Sequence, residues 1–510
     1  MNNRGCMVRF IANNYLFLPV MTTQTTLFSP RNLSLLMDLY ELTMANGYFT
    51  AGIKDTRAVF DLFYRSNPDD GGFAIFAGLE QALDYVEHIH FDRDDIDYLR
   101  SLGLFSAEFL DYLATFRFTG DIYAIDEGTV VYPNEPLVTV VAPLIEAQII
   151  ETAMLSQINH QSLIATKANR IVRAAQGRMV SDMGARRAHN ADAAVYGARA
   201  AFIGGVETTA TLLAGKMFGI PVTGTMAHSW IMSFASEYEA FKVYAQVYGS
   251  SSVFLVDTYN TLKSGLPNAI KVARDILLPA GQRLKGIRID SGDIAYLSKE
   301  ARRMLDEAGL EDCSIVASNS LDEFNIRSII SQGGCIDIFG VGERLITSKS
   351  DSAFGGVYKL TALEEDGQWV PKIKVSDNVV KITNPGRKDL YRVYDPDGKS
   401  IAELIAEHGE PVNGAVPELV SADRPWQNLD FLGCTFKKLQ HQVMAGGQRT
   451  SKPCPLPQLQ DYVREQMILE VREEEQRLDN PDIHTLAMTY GYYNRKLALL
   501  KDTEACLGGE

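Results

Sequence analysis

The chain has 510 residues, 46% hydrophobic and 22% charged, which is ordinary globular usage with room for roughly two to four domains. A formal net charge of -15, without any dense Lys/Arg run, excludes a general nucleic-acid binder, because phosphate backbones need clustered cations. Acidity does not exclude small anionic substrates, since a few local groups suffice to hold a phosphate. The six cysteines (Cys6, Cys313, Cys335, Cys434, Cys454 and Cys506) contain no CxxC pair and are too sparse for a disulfide framework. A reduced, cytoplasmic protein is expected. No apolar run is long enough to span a bilayer, so no membrane association is expected.

Residues 1–20 carry Arg4 and Arg9 and then an apolar patch over 15–20, which loosely imitates a signal peptide. The patch is short, Asn13 and Asn14 interrupt it, and no Ala-x-Ala site follows. A translated upstream extension with Met21 as the effective start, or a flexible tail, is the favoured alternative to targeting. Residues 33–47 (LSLLMDLYELTMANG) predict a helix stopped by Gly47. Residues 57–64 (RAVFDLFY) alternate like a strand, 79–88 and 106–115 show helical period, and 120–142 read as short strands with turns. A long helix begins near Leu144.

Beyond it the texture changes to β-branched runs ending in small or polar residues: MVSDMGARR, PVTGTMAHS, SVFLVDTY, GIRIDSGD, SIVASNS and DIFGVGE. Helices are expected between them over 204–218, 264–278, 296–308 and 321–332. Six β-α units imply a parallel sheet and favour a barrel, without excluding an open sheet. In either case functional groups belong at the C-terminal strand ends. Arg186, Arg187, Thr225, His228, Asp257, Asp290, Asp293, Asn319 and Gly342 lie there, which points to an enzyme. Residues 356–394 return as strands. The polar segment beyond 415, with a helix over 459–475, is a small third domain or a clasp onto the first.

The strand ends suggest chemistry. In GIRIDSGD the carboxylates suit a ribose diol or a Mg²⁺ held through water, or form a salt-bridged turn, and Arg288 suits an anionic ring substituent. SNS (318–320) and GVGE (340–343) are either phosphate loops or mere βα turns. Arg186 and Arg187 could clamp a carboxylate or pyrophosphate, or serve as surface and ion-pair arginines. His228 at a strand end could be a base or a phosphoryl acceptor, or incidental, and His189 is the weaker choice. His88, His90, His408, His441 and His484 read as ordinary. No zinc spacing and no GxxxxGK[ST] loop occurs. A Schiff-base aldolase or lyase would need a strand-end lysine in an apolar site, and Lys263 and Lys285 lie in polar turns.

Together DLYELTMANGYF (38–49), GARRA (184–188), GTMAHS (224–229), DTYNTLKSGLPNA (257–269), GIRIDSGDIAYLS (286–298), SNSLDE (318–323), GVGERLIT (340–347) and GGVYKL (355–360) resemble the nicotinate phosphoribosyltransferase family. The resemblance covers about residues 33–400, most specifically GTMAHS with RIDSGD. It implies an irregular α/β barrel of the type II phosphoribosyltransferases, with an N-terminal α+β domain and a C-terminal extension. The corresponding division is 1–32 extension, 33–155 N-terminal domain, 156–400 barrel and 401–510 C-terminal segment.

The resemblance further implies transfer of phosphoribose from phosphoribosyl pyrophosphate to nicotinate, assisted by ATP and Mg²⁺, in a homodimer with shared sites. Tyr40 resembles the aromatic that stacks on the pyridine ring across the dimer. Arg186, Arg288 and Thr225 match the nicotinate site, His228 the phosphorylated histidine, and Asp290 the acid near the ribose. Ser318, Asn319, Gly342 and Thr347 match phosphate-holding loops. A nicotinamide-using relative is the alternative. Thr209 and Thr211 stand where an acid would favour the amide, while Glu207 leaves the matter open. A quinolinate-using relative would call for more basic residues. A catalytically silent relative would have lost His228, Asp290 or the arginines.

Overall fold

The computed structural model describes residues 31–375, 382–412, 419–421, 431–450 and 452–507. Residues 1–20, Met21 and Cys6 lie outside the described residues, as does the Cys506 side chain.

The first helix spans Leu39–Thr50, starting later and ending later than its pattern predicts. Glu41 Oε1 accepts from the Asp38 backbone N–H at 3.3 Å, which sets the start. Gly47 sits inside the helix, and the stop falls to Gly52, whose φ of 71° is open to glycine without penalty. Arg57–Tyr64 is a strand as expected, buried along nearly its whole length. It pairs antiparallel with Val138–Pro143 on one side and Gly356–Glu365 on the other. These strands belong to a seven-stranded sheet that also takes in Asp121–Ala124 and, from far along the chain, His441–Ala445. A five-stranded sheet is built from C-terminal strands including Lys388–Tyr394, Ser400–Glu407 and Thr485–Thr489. The C-terminal segment is thus both a sheet of its own and a clasp on the first sheet.

The helix Glu151–Ala174 runs between the first sheet and the barrel, buried over most of its length. Its polar residues are used rather than exposed. Ser162 Oγ and Thr166 Oγ1 accept the backbone N–H groups of Ala77 and Ile75 at 3.0 and 2.9 Å, satisfying a short strand that a buried helix would otherwise leave unpaired.

The barrel is parallel throughout. Its strands lie in the order Thr208–Thr209, Met179–Asp182, Ile338–Val341, Ser314–Ala317, Gly286–Ile289 and Val253–Leu255, with Val222 bridging to Thr209. The last strand in the chain pairs with the first, as in a barrel, and the circle of strands is left open at one seam. Among the described residues no bridge joins Val222 to Val253–Leu255, and this seam makes the barrel irregular.

Two local expectations need correction. Residues 204–218 are not one helix. The helix Ala191–Ile203 ends before a glycine pair, Thr208–Thr209 forms a strand, and only Leu212–Phe218 is helical. PVTG likewise contributes a single bridge instead of a full strand, because Thr225 and its neighbours turn toward the barrel mouth. No helix of the described residues is long and apolar enough to cross a membrane.

Candidate active site

A cavity of about 580 Å³ opens at the C-terminal ends of the barrel strands. Arg186, Arg187, Thr225, His228, Arg288, Asp290, Ser318, Asn319 and Gly342 all line it, from five separate strand-loop units. Such convergence is what an α/β barrel offers at this end. Gly184 allows two of the loops to meet, since a Cβ there would stand 2.9 Å from the Gly342 carbonyl oxygen and 2.6 Å from Ile346 Cβ.

His228 begins the short helix His228–Met232. Its Nδ1 shares a hydrogen bond with Thr258 Oγ1 at 3.1 Å, and its Nε2 faces Asp290 Oδ2 at 3.7 Å. Asp290 is held in turn: Ser318 Oγ donates to Oδ1, and the Asp290 backbone N–H donates to Asp257 Oδ2 at 3.1 Å. Arg288 Nη1 donates to Thr225 Oγ1 at 2.5 Å, its Nη2 lies 3.8 Å from Asp290, and its Nε is buried without a hydrogen-bond partner among the described residues. Burial lowers the Arg288 pKa, Asp290 and Asp257 oppose this, and the charge of Arg186 adds to the lowering. Arg186 itself makes no ion pair among the described residues. A buried cation next to a second, unpaired cation favours an anionic guest.

The 318–320 loop is strained in a way its sequence does not announce. Asn319 and Ser320 take φ of 88° and 50°, left-handed values that non-glycine residues keep only when the surroundings enforce them. Beyond Gly342 the helix Glu343–Ile346 brings Glu343, Arg344 and, after it, Lys349 to the cavity wall.

Other expected residues lie elsewhere. Asp257 stands behind Asp290 rather than on the wall. Asp293 caps the helix Ile294–Glu307 by accepting the Tyr296 N–H at 3.0 Å. Thr347 is off the cavity wall, with its hydroxyl spent on the Glu343 carbonyl at 2.7 Å. Tyr40 does not line the cavity and lies on an exposed apolar strip with Leu36, Leu39 and Met44. His189 lines a different cavity together with His88, His90 and His160. His484 is not ordinary: it is 1% exposed, stacked 3.5 Å from the Tyr132 ring centroid, with Nδ1 2.9 Å from Glu475. Glu207 accepts the Val180 N–H at 2.8 Å near the strand start, away from the cavity. Thr209 donates to the buried Asp182 at 2.7 Å. Lys263 and Lys285 are exposed.

Sequence inspection missed Thr258, Arg344 and Lys349. DTY at a strand end was a signal for the first, while the other two depend on how the chain turns after Gly342.

Three family profiles match in chain order. They are the nicotinate phosphoribosyltransferase N-terminal domain over residues 35–159, the nicotinate phosphoribosyltransferase family over 179–397, and the C-terminal domain over 387–496. The nicotinate phosphoribosyltransferase of Bacillus subtilis is 42% identical over 484 residues, 94% of this chain and 97% of its relative. The crystal structure of human nicotinic acid phosphoribosyltransferase matches with a TM-score of 0.80 at 27% identity, covering 91% of this chain and all of that one. A nicotinate-nucleotide pyrophosphorylase from Pyrococcus furiosus, at 22% identity and a TM-score of 0.66, is similar in fold. Profile, sequence and fold thus agree over the same span that holds the cavity, and the chain belongs to the nicotinate phosphoribosyltransferase family.

Proposed function

We propose that the chain transfers phosphoribose from phosphoribosyl pyrophosphate to the ring nitrogen of nicotinate, giving nicotinate mononucleotide and pyrophosphate for NAD biosynthesis. The observation that carries this reading is the pair Arg186 and Arg288, gathered in one cavity with Arg186 in no ion pair among the described residues. Nicotinate's carboxylate supplies the missing anion. Nicotinamide does not, and Glu207, the acid nearest in sequence to the threonine pair, is turned away on Val180.

In the reaction the nitrogen lone pair forms the new bond to the anomeric carbon as the carbon–oxygen bond to pyrophosphate breaks. The nitrogen carries no proton to remove, so no base is required. The protein orients the reactants and stabilises charge. Arg186 and Arg288 hold the carboxylate, with Thr225 tied to Arg288. Asp290 faces the sugar, where its negative charge steadies the oxocarbenium-like transition state. Ser318, Asn319 and Gly342, with their loop N–H groups, receive phosphate oxygens.

Mg²⁺ fits this site as a hard cation that takes oxygen ligands, chiefly from the donor's own phosphates. Asp290 would supply a protein oxygen, and Asp257 behind it has an Oδ1 without a hydrogen-bond partner among the described residues. Bound there, the ion offsets charge on the departing pyrophosphate.

His228 is the acceptor for ATP. Its ring attacks the γ-phosphorus, ADP leaves, and water later releases phosphate from the phosphohistidine. The Thr258 hydrogen bond that orients the ring and the 39% exposure of the side chain support this role. The added dianion would reorganise the neighbouring charges of Asp290 and Arg288. A homodimer completes the pocket. The exposed strip around Tyr40 and the exposed Leu212, Leu213 and Met217 beside the barrel supply two apolar faces for it.

The test incubates purified protein with phosphoribosyl pyrophosphate, Mg²⁺ and either nicotinate or nicotinamide, with and without ATP, and quantifies mononucleotide and ADP. Turnover of nicotinate alone, with linked ADP release, is expected. Turnover of nicotinamide would overturn the substrate assignment. His228→Ala should retain slow transfer but lose the ATP effect, and equal stimulation in that variant would remove His228 from the role.

A further inference from the structure

Behind the two phosphate loops lies a buried ionic centre that the reaction as described leaves unused. Lys167 on the helix Glu151–Ala174 is 2% exposed. Its ammonium donates to Asp69 Oδ2 at 2.9 Å, Glu323 Oε1 at 2.8 Å and Ser350 Oγ at 2.7 Å. An ammonium has three donors, so all are spent and its direction is set. Arg170, nearly one turn along the same helix, donates Nε to the same Glu323 oxygen at 3.0 Å.

Each partner leads to an active-site loop. Glu323 opens the helix Glu323–Ser331, directly after the 318–320 loop. Ser350 follows Lys349 on the cavity wall. The Asp69 backbone N–H donates to Asp351 Oδ2 at 3.1 Å, one residue further on. Arg344 of one loop pairs with Asp322 of the other. Between them Ser348 is buried at φ 41°, a left-handed conformation that a serine keeps only when its surroundings over-determine it. The ties at Ser350 and Asp351 do so. Burial would push the Asp69 carboxyl up, but hydrogen bonds from Ser350 and Lys167, with the charges of Lys167 and Arg170, hold it below the usual range.

We propose that Lys167 is a positioning residue for the phosphoribosyl donor, fixing the 318–323 and 342–351 loops in one relation so that the donor's phosphates meet preformed sites. This rests on those loops being the phosphate-binding ones. Lys167 touches no substrate. It acts through Ser350, Glu323 and, by way of Asp69, Asp351.

Lys167→Met leaves Asp69 and Glu323 in the interior with Arg170 as their one remaining cation among the described residues, so two loop-side variants carry the test. Ser350→Ala and Asp351→Ala leave the buried charges in place and remove one anchor each. Each is expected to raise KM for phosphoribosyl pyrophosphate about tenfold, with KM for nicotinate within about twofold and Tm within about 2 °C of the parent. Lys167→Arg, keeping the charge, is expected to retain more donor affinity than Lys167→Met. An unchanged donor KM in both loop variants, or equal rises for both substrates, overturns the proposal. Titration of phosphoribosyl pyrophosphate alone decides the matter without turnover: weaker binding by the variants supports it and equal binding refutes it. A parent that binds the donor yet makes no nicotinate mononucleotide refutes the activity instead, and the titration still stands.

Discussion

At the barrel mouth His228 stands 3.7 Å from Asp290, Arg288 3.8 Å from Asp290 and Arg187 3.9 Å from Glu343, while Arg186 has no ion pair among the described residues. Between the long helix and the barrel helix Glu323–Ser331, and within the C-terminal sheet, Lys167, Arg170, Glu323, Arg392 and Glu403 are at most 2% exposed, and their closest ion-pair contacts are 2.6–3.0 Å. The same residue types are used in opposite ways. Around His228, Arg186, Arg187 and Arg288 the contacts left long and partly wet leave room for an anionic substrate to complete them, while Lys349 with Glu343, and Arg344 with Asp322, close the rim of the 342–349 loop. Contacts closed in a dry seam fix the relation of one element to another, because a buried charge without its partner is strongly unfavourable.

The comparison can be broken by exchanging the outcomes of mutation on its two sides. The largest effect on stability is expected from Arg392→Met. It leaves Glu403 buried, and burial already raises the pKa of that carboxyl despite the attraction of Arg392. Urea unfolding should show a loss of about 3–5 kcal/mol. Arg186→Gln is the counterpart in the cavity. It should leave the unfolding midpoint unchanged while raising KM for nicotinate about 10- to 100-fold, since a charge-assisted contact is lost to a wet site. A stability loss at Arg186, or a substrate effect at Arg392 without one, would erase the distinction.

A pH series sharpens it. The Asp69 carboxyl lies below its usual range in the folded protein. Its contribution to stability is therefore present above the unfolded pKa of about 4 and is lost as pH falls through the lower folded value. Asp69→Asn should flatten the acid limb of a stability–pH curve, whereas Arg186→Gln should leave that limb as it is. The smallest effect separates two carboxylates three residues apart. Asp293→Ala is expected to cost about 1 kcal/mol through the lost helix cap, with turnover nearly unchanged, and Asp293→Asn to cost less because asparagine also caps. A large loss of turnover in Asp293→Asn would return that residue to the cavity.

Much of the fold was legible because it is local. Alternation in RAVFDLFY and helical period over 79–88 mark the elements that form, at Arg57–Tyr64 and Leu79–His88. Thr208–Thr209 escaped notice because a strand this short has no period to detect, and PVTG, expected as a strand, gives only the single bridge at Val222. Tyr40 could be named from its motif, but its exposed position on the first helix belongs to the folded chain.

By itself the sequence determined that β-α units repeat, that charged and small residues gather at strand ends, and that the arginines, His228 and Asp290 belong to one family pattern. These are properties of neighbours along the chain, where residue type and spacing carry the information. Only the tertiary structure decided that Asp293 is a cap and Asp257 a support, that Thr258 orients His228, and that Lys167 joins Asp69, Glu323 and Ser350 across up to 183 positions. Side chains so far apart in sequence meet through the closure of the barrel and the packing of the long helix against it, and no local pattern records where such a closure brings them.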